Sequence, residues 1–354
     1  MPNLRSNDQA SFQAAFQPAL ETFVSEQLRH LSVQTIDAKK LARSVADMAT
    51  RKGKRMRPYL AIRTAMSCGV SEAQALPLGI ALELFHDFAL IHDDIIDRSA
   101  QRRGRPTIHT IFENEHQKKS WKGSAEHYGI SSAILAGDLL YTWAERAFDE
   151  VRAPDEIRSK LERAWSLMKE EVILGQTMDV ITSVLPRGIS RKQLLDVQAL
   201  KSGRYSIGRP ILLGYLFGGV DIAERTVLDA TEPLGIAFQI QDDIIGTFGD
   251  AKQTGKSIDS DLKEGKITML VWEAQRRIES EEDRAIWERA LGNPDATEAE
   301  LNILRRIIQD TGALVYVRAL SEQLVQRSIE RAYELPKISN WFIELAESLE
   351  GRKT

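Results

Sequence analysis

The feature that most constrains this chain is a pair of long segments that are apolar nearly all round, each closing on adjacent aspartates. The first is Leu76–Asp97, LPLGIALELFHDFALIHDDIID, and the second is Thr231–Gly246, TEPLGIAFQIQDDIIG. A helix with apolar residues on every side has to be covered by other elements. Two of them call for a body of many helices. The remaining sequence supplies it, because apolar residues recur at three- and four-residue spacing and sustained alternation is scarce. The 11 prolines fall mostly where helices would begin or end. Ser71 with Gln74, and Thr297 with Glu300, have capping-box spacing and mark two helix starts. Breaks near residues 52–57, 102–106, 113–129, 186–188, 218–219, 246–265 and 292–294 leave segments of roughly 15–30 residues, long for globular helices. The expected fold class is therefore all-α, with about ten or more packed helices. No Pro/Gly/Ser linker, internal repeat or low-complexity tract divides the chain, so a single domain is expected over residues 1–354. Residues 1–15 are expected to be flexible and the polar stretch 113–128 to be a surface loop.

Charge and cysteine content narrow the function class. The chain has 354 residues with 47 Lys plus Arg, 51 Asp plus Glu and a formal net charge of −4. That near balance does not suggest a nucleic-acid partner. The one cysteine, Cys68, cannot pair within the chain and fits a reducing compartment. No run approaches ~18–20 uncharged apolar residues, so no transmembrane helix is expected. The first residues lack a basic start followed by an apolar run, so no secretory signal is read. A cytoplasmic location is the expectation.

The acids matter by position. Asp93 and Asp97 are four apart and share a helical face, with Asp94 beside them and Glu83 and Asp87 upstream. Carboxylates converging at a poorly solvated site repel, so a cation must compensate. One or two carboxylates plus substrate phosphate suit Mg²⁺. The second cluster is Asp242 and Asp243, with Gly246 at the place where a third acid would complete the pattern. Basic residues surround both. GKRMRP (53–58) puts Lys54 and Arg57 three apart at a helix start, a geometry that suits a diphosphate. Arg102 and Arg103 lie in RRGRPTIH, Lys201 in KSGRYS, Lys256 in TGKS and Lys266 in DLKEGK.

Taken together, these residues resemble the trans-isoprenyl diphosphate synthases, or polyprenyl synthetases. The resemblance rests on GKRMRP (53–58), ELFHDFALIHDDIIDRSAQRRGRPTIH (83–109), AGDLL (136–140), GQTMD (175–179), KSGRYS (201–206) and FQIQDDIIGTFGDAKQTGKSIDSDLKEGK (238–266). It is greatest toward the bacterial geranylgeranyl diphosphate synthases. It implies a large antiparallel helical bundle around a deep central cavity, a homodimer, and Mg²⁺ as cofactor. It implies head-to-tail condensation of isopentenyl diphosphate onto an allylic diphosphate (dimethylallyl, geranyl or farnesyl). The allylic C–O bond ionises, the isopentenyl double bond attacks C1, and a proton is lost.

The same resemblance assigns residues. Asp93, Asp94 and Asp97 hold metal on one side. Asp242 holds a further ion, with Asp243 in support and Asp179 grouped with the metal-binding acids. Arg102, Lys201 and Lys256 grip the allylic diphosphate, and Lys54, Arg57, His86 and Arg103 the isopentenyl diphosphate. Lys201, Ser202 and Gln239 line the place where the allylic cation forms; with Arg102 they form the catalytic set. Gln176 lies on the face of Asp179, and Lys266 belongs to the substrate-binding group. Asp250, Asp259 and Asp261 follow Gly246 and are placed to assist through water. Glu83 and Asp87 are read as structural.

Product length is read from the residues before the first acids. Phe88 is five before Asp93, about 7–8 Å along the axis at ~1.5 Å per residue, and Ala89 is four before. One aromatic, with no insertion in DDIID, resembles enzymes that make the twenty-carbon geranylgeranyl diphosphate. Farnesyl or longer polyprenyl products are the alternative. Two rival functions fit these residues less well. A class I terpene cyclase would need a hydroxyl four residues after Asp242, where Gly246 stands, and has no use for a second diphosphate pocket. A non-catalytic subunit of a heteromeric synthase could lose its acids, yet both clusters persist.

Overall fold

The computed structural model describes residues 6–31, 35–102, 104–184, 189–249 and 260–350. They are helical almost throughout, as expected. The exception is a ribbon of β1 (Gln101–Arg102) and β2 (Arg105–Pro106), paired antiparallel with Arg102 opposite Arg105. Packing divides the chain into two compact units: one formed mainly by residues 5–158, the other by 159–216 and 220–354. The boundary falls inside a continuous helix, so no change of composition announces it.

The first unit holds α1 (Ser6–Arg29), α2 (Ile36–Thr50), α3 (Met56–Ser67), α4 (Glu72–Ile96), α5 (Ile108–Lys118), α6 (Ala125–Asp149) and the start of α7 (Asp155–Val184). Helix α4 starts at the Ser71/Gln74 capping box, which is formed in both directions. Leu78, Ala81, Leu82, Leu84 and Phe85 are fully buried along it. Among the described helices it is long and apolar enough to span a bilayer, but 61% of that window is buried inside the protein. Glycines set the spacing. A methyl at Gly79 would lie 2.5 Å from Ile62 of α3, and one at Gly137 2.3 Å from His92, so α3 and α6 approach α4 closely.

Two expectations need correction here. Residues 6–15, expected to be flexible, form the first turns of α1. Phe12 stacks on Phe16 at 5.3 Å and meets the Tyr59 ring edge-on at 5.3 Å. The stretch 113–128 is mostly helix, and only residues 119–124 lack it. Its polar residues are paired: Glu115 bridges Lys40 and Lys119, and the Ser124 hydroxyl caps α6 by accepting from the His127 N–H. Its aromatic residues cluster, with Tyr128 against Phe112, His116 and Trp121. Polarity alone does not distinguish such a helix from a surface loop.

The second unit holds the rest of α7, and after it a run in which α8 (Arg191–Gln198) passes directly into a π-helical segment (Ala199–Gly208) and then α9 (Arg209–Phe217). It continues with α10 (Glu224–Phe248), α11 (Ser260–Lys263), α12 (Met269–Arg277), α13 (Glu281–Ala290), α14 (Glu298–Asp310), α15 (Ala313–Ala332) and α16 (Ser339–Glu350). Ile236, Ile240 and Ile244 of α10 join Leu270, Leu304, Ile308 and Val317 in its apolar core. The Thr297/Glu300 capping box starts α14 as expected.

Candidate functional site

Helix α3 begins where GKRMRP predicts a helix start. Arg55, between the two expected diphosphate ligands, has a different task. It occupies the left-handed region (φ 49°) and is 3% exposed. Its guanidinium pairs with buried Glu83 and donates to the carbonyls of Arg51 (2.5 Å) and Ala49 (3.3 Å). A buried guanidinium and carboxylate satisfy each other and hold the turn in a backbone conformation that a non-glycine residue rarely adopts. Lys54 is left exposed and Arg57 half-buried on the first turn of α3. Glu83 is structural, as read. His86 is half-buried on α4, two turns before Asp93.

Asp93 and Asp94 lie in the last turn of α4, and Asp97 is its C-cap, with its N–H on the Asp93 carbonyl at 2.8 Å. The β1–β2 hairpin folds back over this end, turning at Gly104 with φ +72°. It brings the Arg102 guanidinium onto the Asp94 carboxylate and to 3.5 Å from Asp93. Asp94 is only 2% exposed. Burial pushes its carboxyl up to about 6, against the pull of Arg102. Asp94 thus serves chiefly to hold Arg102, whereas the Asp93 side chain is 23% exposed, with its Oδ2 3.5 Å from the same guanidinium. Phe88 is half-buried among the rings of Phe85 (5.3 Å), His92 (4.7 Å) and Tyr141 (5.3 Å). Ala89 is half-buried beside it.

In the second unit, the π-helical segment carries KSGRYS. It lies tight against α7, where a methyl at Gly175 would be 2.5 Å from the Lys201 nitrogen. It lies tight against α10 as well, where a methyl at Gly235 would be 2.3 Å from the Gly203 Cα. These approaches bring together residues far apart in sequence. The Lys201 ammonium donates to Asp179 at 2.5 Å. The Ser202 hydroxyl donates to the Gln239 carbonyl at 2.6 Å, and the Gln239 amide donates to Asp243 at 2.7 Å. Asp243 is buried, and that burial pushes its carboxyl up to about 7, with Lys266 opposing and Asp261 and Asp242 adding to the rise. Asp242 beside it is half-buried, as is Gln176, one turn before Asp179. Arg103, Lys256, Asp250 and Asp259 lie outside the described residues.

The missing third acid has a local answer. A methyl at Gly246 would sit 3.0 Å from Oδ2 of Asp261, on α11. The Asp261 carboxylate therefore reaches the space that a side chain at 246 would enter. Nothing in the sequence singles out Asp261 from Asp250 and Asp259, because the approach is set by tertiary packing.

Among the described residues, no three His, Cys, Asp or Glu side chains converge into a complete metal cage. The half-buried carboxylates of Asp93 and Asp97 can each offer oxygen, with phosphate oxygens completing a shell. The first unit thus offers oxygen donors at the end of α4 with a guanidinium held over them, and the second, by itself, offers oxygen donors on α10 with an ammonium, a hydroxyl and an amide oxygen grouped on the π segment and α10.

Comparison with known proteins agrees with this picture. The Polyprenyl synthetase family model matches residues 38–308. The geranylfarnesyl diphosphate synthase of Aeropyrum pernix is 33% identical over 291 residues, 81% of this chain and 85% of that protein. The geranylgeranyl diphosphate synthase of Sulfolobus acidocaldarius is 31% identical over 299 residues, 83% of this chain and 84% of that protein. The crystal structure of geranylgeranyl pyrophosphate synthase from Corynebacterium glutamicum, complexed with isoprenyl diphosphate and magnesium, superposes with a TM-score of 0.90 at 28% identity, covering 98% of this chain and 99% of that one.

Proposed function

The chain belongs to the polyprenyl synthetase family and is a prenyl transferase, and from that premise we propose that it condenses isopentenyl diphosphate with an allylic diphosphate to give geranylgeranyl diphosphate. The observation that carries this reading is the Ser202–Gln239–Asp243 chain with Lys201 beside it. A hydroxyl and an amide oxygen stabilise a developing allylic cation by their dipoles and are too weakly nucleophilic to trap it. Lys201 and Arg102 supply cations for the departing diphosphate. Lys54 and Arg57, at the start of α3, take the second diphosphate through their charges and the first N–H groups of that helix. His86, Arg103, Gln176, Lys256 and Lys266 complete the substrate contacts.

The family uses a divalent metal, and magnesium fits the donors here, which are oxygens alone. Asp93 and Asp97 would hold it on α4 and Asp242 on α10, with Asp94, Asp179 and Asp243 in support and Asp261 in place of the missing third acid. When bound it neutralises charge on the leaving diphosphate. The twenty-carbon product follows from Phe88 as the floor, supported by the geranylgeranyl relatives; the geranylfarnesyl relative marks the longer alternative.

The purified chain, given Mg²⁺, isopentenyl diphosphate and farnesyl diphosphate, should make a linear elongated diphosphate. A hydrocarbon or alcohol product would indicate a cyclase, and no turnover a subunit that needs a partner. Asp93→Ala should abolish turnover, and an unimpaired variant would refute the assignment. Sedimentation tests the homodimer, and cell fractionation the cytoplasmic location, that complete this reading.

A further inference from the structure

We propose that a ladder of ion pairs centred on Glu171 fixes the π-helical register of Ala199–Gly208 and so positions Lys201 and Ser202; the idea rests on the function proposed above. π-Helical turns are rare, costly insertions that occur chiefly at functional sites. Something must hold this one. Its closing hydrogen bond runs from the Arg209 N–H to the Arg204 carbonyl, five residues back. That bond stacks the two arginines on one side. In an α-helix, at 3.6 residues per turn, residues five apart point about 140° apart, and one carboxylate could not take both.

Glu171 takes both. Arg209 donates to its two carboxylate oxygens at 2.8 and 2.7 Å, and Arg204 to one of them at 3.1 Å. The outer ends are closed by α10: Arg204 donates to Glu232 at 2.5 Å, and Arg209 lies 3.0 Å from Glu224. Arg209 is 2% exposed, so its charge depends on these partners. Burial alone would raise the Glu171 carboxyl, but the bonds from Arg209 and Arg204 hold it below its ordinary value.

The ladder's bonds run among Glu171, Arg204, Arg209, Glu224 and Glu232. The ladder acts through the backbone. Relaxing the segment by one residue to α-helix would turn everything upstream of Arg209 by about 100°. Lys201 would leave Asp179, and Ser202 would leave Gln239. Glu171, Arg204 and Arg209 are therefore positioning residues, and Arg204 is the most informative to change because it is partly exposed, at 31%.

The test uses the full chain with Arg204→Gln, Arg204→Lys and Glu171→Gln, beside Lys201→Ala. Arg204→Gln should lower kcat about 100-fold, the scale of a misplacement near 1 Å, with KM for isopentenyl diphosphate unchanged. Amide exchange in residues 199–208 should rise while that of α15 stays as in the parent. Arg204→Lys should fail to rescue, because one ammonium cannot bridge Glu171 and Glu232 as a guanidinium fork does. Parent-like kcat in Arg204→Gln, or a fall in kcat with exchange in 199–208 unchanged, would overturn the proposal. Lys201→Ala separates the two levels. If it is inactive while Arg204→Gln turns over normally, the ladder idea alone fails; if it is active, the reading of the site fails first.

Discussion

Gly235→Ala is the sharpest probe of how α10 and the π segment make the site. The added methyl would lie 2.3 Å from the Gly203 Cα, 2.7 Å from its oxygen and 2.8 Å from its carbonyl carbon. All three are backbone atoms, so no rotamer change relieves the clash. Reaching an ordinary 3.4 Å contact requires the two elements to part by about 1.1 Å. The same separation takes the Ser202–Gln239 hydrogen bond from 2.6 Å to about 3.7 Å, outside bonding range. Overpacking of this kind costs about 1–3 kcal/mol of stability, and a displacement near 1 Å costs about 100-fold in rate. Gly203→Ala is the matched control: its methyl would meet the Glu232 oxygen at 3.3 Å and the Ile236 nitrogen at 3.4 Å, which small shifts absorb. Urea unfolding and steady-state prenyl transfer measure both variants. The reasoning fails if Gly235→Ala keeps parent stability and kcat, or if Gly203→Ala is the worse of the two.

Three further outcomes are expected. Arg55→Ala should cost about 3–5 kcal/mol in urea unfolding, because Glu83 is left as a buried, uncompensated charge; a loss of the size seen for an exposed pair would contradict that role. Phe88→Ala, which empties the space between Phe85, His92 and Tyr141, should shift chromatographed products to longer chains, and an unchanged length distribution would show the floor to lie elsewhere. In metal-free buffer, Asp243 should make the chain less stable as pH rises. Its carboxyl is raised from 3.8 to about 7, so the folded state holds the proton more tightly than the unfolded one. That stabilisation is complete below about pH 4 and lost as pH rises through 7. Asp243→Asn should flatten the dependence of Tm on pH in this window, and parallel curves for the two proteins would rule out the assignment.

Much of the architecture was legible because its signals are local. Apolar residues on every side of Leu76–Asp97 marked a buried helix, and α4 has that burial. Capping-box spacing placed the starts of α4 and α14 to the residue, since a cap involves only neighbours. Other features were hidden because local chemistry is ambiguous. In GKRMRP three cations are alike in sequence, and only packing turns Arg55 inward to Glu83 while Lys54 stays exposed. Residues 113–118 look like a polar loop until Glu115 finds Lys40, far away in the chain. The boundary between the two units runs through α7, whose composition does not change there.

By itself, then, the amino-acid sequence determined the helix class, the placement of two acid pairs at the ends of apolar helices, and the inventory of cations around them. Periodicity, capping and charge are properties of neighbouring residues, so they survive without a fold. Tertiary structure alone decided that Ser202 reaches Gln239, that the Asp261 carboxylate fills the space beside Gly246, and that residues 199–208 wind as a π-helix. Each of these depends on how closely two backbones approach and on which distant charge neutralises a buried one. Such terms exist only after the chain has packed.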